Sequence, residues 1–145
     1  MKIPSVGKLL ISGVAAFTAV GAYLYDYNET HMFNPQWPPH AKFHDAHTIS
    51  LGSLLGFLSL WSLWRAPFDQ GARLRVATVL ASLFYVSQAT SLLFPNVALV
   101  DPEFEAKVPK LFGRPAAQPV LDVTMLSLLA AAFALERRQE PARRR

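Results

Sequence analysis

The feature that most constrains this chain is the gathering of its apolar residues into four long blocks separated by polar connections. A membrane-spanning helix needs about 20 mainly apolar residues, because only continuous backbone hydrogen bonding satisfies the chain in hydrocarbon. Blocks of that kind fall at about 6–25, 46–64, 74–95 and 119–135. The chain has 145 residues, of which 52% are hydrophobic and only 17% charged. A soluble domain of this size needs more polar surface than that to cover itself. The expected fold is therefore all-α, an integral membrane four-helix bundle, with residues 1–145 forming one transmembrane domain. A soluble bundle would suit the more amphipathic second and fourth blocks, but the first and third have no wide polar face.

Sidedness follows from the basic residues, which accumulate on cytoplasmic loops. With both termini on one side, that side carries Lys2, Lys8, Arg65, Arg73, Arg75, Arg137, Arg138, Arg143, Arg144 and Arg145. The other side carries Lys42, Lys107, Lys110 and Arg114. Both termini are thus expected in the cytoplasm, and loops 26–45 and 96–118 in the periplasm or lumen. The basic tail at 136–145 reads as a topology determinant and lipid-surface contact. The net charge of +4 forms no patch interleaved with aromatic residues, so no nucleic acid is expected as a partner. Lys2, Lys8 and small residues near Ala22 also suit a cleaved leader, but the apolar run is long for one, so the first block reads as a retained anchor. In segment 96–118 three prolines and mixed charge suggest an ordered loop with a short surface helix over 102–107.

The chain lacks cysteine, which excludes disulfides and thiolate chemistry and leaves nitrogen and oxygen as metal donors. Its four histidines all lie in "DYNETHMFNPQWPPHAKFHDAHT", residues 26–48. Proline suits the first turn of a helix, so Pro38–Pro39 should start a helix that runs to about Trp64. On it His40, His44 and His47 fall at about 0°, 40° and −20°, one narrow stripe at the membrane surface. Three readings of the stripe stay open. The histidines could ligate a divalent metal such as zinc or iron, with His31 completing the shell and Glu29 or Asp26 beside it. They could move protons together with a carboxylate. Or they could be interfacial groups that tie the loop to the helix ends. HxxxHxxH resembles one histidine box of membrane desaturases and hydroxylases, which use about eight histidines; a homodimer sharing one site would be needed to reach that number.

Other polar residues point to the same side. Asp122 lies about one turn below the outer surface, where an acid is costly and marks a candidate site. Gln88 lies about two turns below it and suits an interhelical hydrogen bond or a ligand contact. Trp37 reads as an interfacial anchor or a ring that covers a ligand, and Asn28 as a second ligand contact. Asn96, Asp101 and Glu103 read as turn and surface residues. Gly52 and Gly56 form a GxxxG pattern, a mark of close helix packing.

At "NETHMFNPQWPPHAKFHDA" the chain resembles a family of small four-span membrane proteins from bacteria and fungi with an NxTHxFNPxWPPHAxFH-type loop. Members are sometimes labelled acetyltransferases, but no glycine-rich turn is present to cradle an acyl-CoA pyrophosphate. A more distant likeness of architecture is to the emopamil-binding-protein group of lipid isomerases, from which no residue carries over. The expectation from the sequence is a membrane enzyme with an outward-facing His/carboxylate pocket acting on a lipophilic molecule. Its chemistry would be acid–base or metal-assisted isomerisation, cyclisation or hydration, with His40 and His44 central, Glu29 orienting and Asp122 at the floor. The rival expectation is a non-catalytic metal- or lipid-binding accessory protein.

Overall fold

A computed structural model describes residues 4–143. Lys2, Arg144 and Arg145, which the charge count above includes, lie outside the described residues. The chain is mostly helical: α1 (Val6–Tyr25), α2 (Pro39–Trp64), α3 (Gln70–Ser91) and α4 (Ala117–Arg143). Between α3 and α4 come a 3-10 helix, Pro102–Lys107, and a small antiparallel hairpin of β1 (Lys110–Leu111) and β2 (Arg114–Pro115). Phe112 and Gly113 join the strands with φ of 51° and 78°. Positive φ at both central residues matches the twist of a tight hairpin. The hairpin has no counterpart in the sequence reading.

Local chemistry accounts for the helix ends. Pro38 caps α2 in extended conformation and Pro39 occupies its first turn, where a missing N–H costs nothing. At the start of α3 the Asp69 carboxylate accepts the Ala72 N–H at 2.9 Å. That cap sets the helix four residues ahead of the apolar block expected at 74–95. The same helix stops at Ser91 and a turn leads to Pro95, whose ring disfavours helix in the residue before it.

The helices α1 and α3 each pack on α2 and α4, and they also meet each other through the buried Thr18–Tyr85 hydroxyl pair at 2.9 Å. The centre is lined by Ile11, Val14, Ala15, Leu63, Ala77, Ala81, Leu129 and Ala132. Small residues let the backbones approach closely. A Cβ on Gly56 would sit 2.5 Å from Ala15 O and Ala19 N, and one on Gly52 would sit 3.1 Å from Thr18 O. The GxxxG pair thus faces α1 as a contact surface. Short polar side chains bridge the helices: Ser53 Oγ donates to Ala19 O and Ser59 Oγ to Ala77 O, each at 2.8 Å.

The outer surface is apolar over large areas. Leu54, Phe57 and Val123 are each at least 60% exposed. Exposed apolar surface on this scale needs a non-aqueous partner. By length and composition α1, α2 and residues Ala117–Arg138 of α4 could each cross a membrane. α3 is not among these three.

Candidate functional site

The α1–α2 connection and the long α3–α4 connection lie at the same end of the bundle. The Trp37 indole N–H ties them together by donating to Asp101 Oδ2 at 2.9 Å, across 64 residues of sequence. Between them opens a cavity of about 630 Å³. Its polar lining includes Asp26, Thr30, His31, Asp101 and Gln118, and its apolar walls include Leu99, Phe104 and Leu121. A narrower space of about 30 Å³, room for one or two waters, continues inward past Tyr25, Asp26 and Gln118 to Gln88, Tyr85 and Thr18.

Asp26 sits where α1 ends, and its backbone N–H closes the last turn on Ala22 O. The following residues fold on their own side chains. Asn28 Oδ1 accepts both the backbone N–H and the hydroxyl of Thr30, each at 2.7 Å. Thr30 Oγ1 also meets His31 Nδ1 at 2.7 Å. A hydroxyl has one proton, and that of Thr30 goes to Asn28, so Thr30 accepts from the His31 Nδ1–H. In the neutral imidazole this leaves the lone pair on Nε2. That nitrogen lies 3.9 Å from Asp26 Oδ1. The His31 and Trp37 rings pack edge to face with centroids 5.1 Å apart. Burial pushes the Asp26 carboxyl up to about 6, the nearby Asp45 charge adds to the rise, and His31 opposes it. A carboxyl with a raised pKa and an imidazole lone pair therefore face each other in the cavity wall.

The structure divides the histidines expected to act together. His40 and His44 face one another on α2 with Nε2 atoms 3.1 Å apart, but neither lines the cavity. His47 is exposed one turn further on. Among the described residues no group of three or more His, Asp or Glu side chains is placed to hold a metal ion. A shell of His31, His40, His44 and His47 is thus not assembled, because His31 is held on the loop by Thr30 while the others ride on the helix.

The other expected residues separate in the same way. Trp37 lines the large cavity and Gln88 the small one. Asn28 supports Thr30 from behind and is not in the lining. Glu29 is exposed and also outside the lining. Asp122 is buried, 5% exposed, and accepts a hydrogen bond from Gln118 Nε2 at 3.1 Å. It stands behind the lining rather than in it. Asp101, read from sequence as a surface residue, is the partner that fixes Trp37. Thr30 and Asp45 gave no signal beyond their place in the histidine segment.

Fold and site together define a class: a small, mostly helical protein with three helices long and apolar enough to cross a membrane and, at one end, a largely apolar cavity that carries a few polar groups. The chain belongs to the family of unknown function DUF6640, whose pattern matches residues 10–144. No curated protein and no solved structure matches it.

Proposed function

We propose that this protein is an integral membrane enzyme of four spans that performs acid–base chemistry on a lipophilic small molecule. The reading rests on one observation, the Asp26–His31 pair in the lining of a cavity of about 630 Å³ with largely apolar walls. A site of that size and character suits a lipophilic molecule oriented by a few polar groups. The basic residues favour cytoplasmic termini and an outward-facing cavity.

In an isomerisation, one carbon of the substrate gains a proton and another loses one. Protonated Asp26 supplies the first, and the His31 Nε2 lone pair takes the second. The gap of 3.9 Å between them closes for the return transfer that resets the pair; loose distances of this kind are common in ligand-free sites. Hydration uses the same pair, with His31 taking the proton of an added water. Thr30 holds the imidazole tautomer, and Trp37 and Phe104 cover the substrate.

Isomerisation, cyclisation and hydration all place a solvent-derived hydrogen on carbon. Incubating the purified protein in D₂O with a lipid extract and a panel of lipophilic alkenes should give one species that gains deuterium, and Asp26→Asn should abolish the gain. Saturable binding of a lipid with no deuterium gained by any species would favour the accessory-protein reading instead.

A further inference from the structure

The His40–His44 pair stands apart from the cavity and has its own chemistry. Both side chains are exposed on the first two turns of α2, and their Nε2 atoms approach to 3.1 Å. Phe43 lies against both rings, with centroids 6.3 Å from His40 and 5.6 Å from His44. Pro38 and Pro39 fix the start of the helix that presents them. Metal–nitrogen bonds of about 2.0–2.1 Å set two adjacent ligands about 2.9 Å apart at a right angle and about 3.4 Å apart at the tetrahedral angle. The observed 3.1 Å lies between those values, so an ion can enter with small ring rotations.

We propose that His40 and His44 form a two-nitrogen site for a late first-row divalent transition ion, separate from the cavity and from the chemistry assigned to it. Spacing of i, i+4 places two imidazoles on one ion without moving the backbone. Two imidazole nitrogens with no sulfur donor favour copper(II) over nickel and zinc, following the general affinity order. The remaining coordination positions face solvent and take water. His47 and His31 are not part of the site.

The test is a titration of tag-free, full-length protein in detergent with Cu²⁺ alone, followed by electron paramagnetic resonance. The expected result is one ion per chain with two imidazole nitrogens in its spectrum. Loss of a group that merely supports a metal ligand costs about 10–100-fold in affinity. His40→Ala and His44→Ala should each weaken binding at least that much, and the double variant should be scarcely worse, since one imidazole no longer chelates. His31→Ala and His47→Ala should bind as the wild type does. Binding should weaken on acidification, because protons compete with the ion for the imidazole nitrogens. Binding unchanged in both single variants, or a spectrum with one nitrogen, would overturn the proposal. So would a wild type that takes up no ion. Circular dichroism of the variants controls for folding, and the exposure of both side chains makes a folding defect unexpected.

Discussion

The two ends of this bundle solve different problems. At the end formed by the α1 start and the α2 finish, packing dominates: Gly7 leaves no room for a Cβ against Ala132 O, which would be 2.7 Å away. Trp64 closes that end, donating to Ser12 Oγ at 2.9 Å under the Lys8 ammonium, which lies 4.6 Å from its ring. At the loop end, side chains instead satisfy backbone and each other around an open cavity. Asn34 shows the contrast, since it is 2% exposed yet spends its Oδ1 on the Gln36 N–H within its own turn. Close packing tolerates no added volume, whereas the loop end tolerates changes of side chain that keep its turns.

The largest expected effect comes from overfilling the packed helix face. Gly56→Val puts side-chain atoms into the α1 backbone, and overpacking that cannot relax costs about 3 kcal/mol or more. We expect loss of monodisperse protein in detergent, or a melting temperature far below wild type. Asp26→Asn should do the opposite, keeping the fold while lowering deuterium incorporation by about 10²–10⁴-fold, the usual worth of a general acid.

A third expectation concerns pH. The Asp26 carboxyl is pushed up to about 6 from its ordinary 3.8, so the folded chain keeps a proton that the unfolded chain has released. Stability therefore falls as pH rises between those two values and is level above them. Chemical denaturation at pH 4, 5, 6 and 7 should show this decline, and Asp26→Asn should flatten it. A smaller effect is expected at Trp37→Phe, which removes the bond to Asp101 at a cost of about 1–2 kcal/mol. Hydrogen exchange should rise in residues 96–116 and stay unchanged in α1. Glu29→Ala, exposed and outside the cavity, should leave stability and activity within error.

Much of this fold was legible in the sequence because it depends on local rules. Proline in the first turn marks the start of α2, and GxxxG marks the face that meets α1. The 3-10 helix at 102–107 follows from Pro102 and the charges after it. The site was legible only as a region. The stripe of His40, His44 and His47 is a property of one helix, and it drew attention from His31, whose role depends on the hydroxyl of the residue before it and a carboxyl five residues back. Asp101 could not be paired with Trp37 by any local rule, since 64 residues separate them. The helix α3 begins four residues before the apolar block because a capping carboxylate, not the apolar boundary, sets a helix start.

The central claim is that the loop pair, and not the helix stripe, carries the chemistry. Deuterium incorporation measured side by side, per mole of folded protein, for Asp26→Asn, His31→Gln and the double variant His40→Ala/His44→Ala tests it most directly. The first two should lose incorporation and the double variant should retain it. Incorporation lost in the double variant while Asp26→Asn and His31→Gln remain active would contradict it.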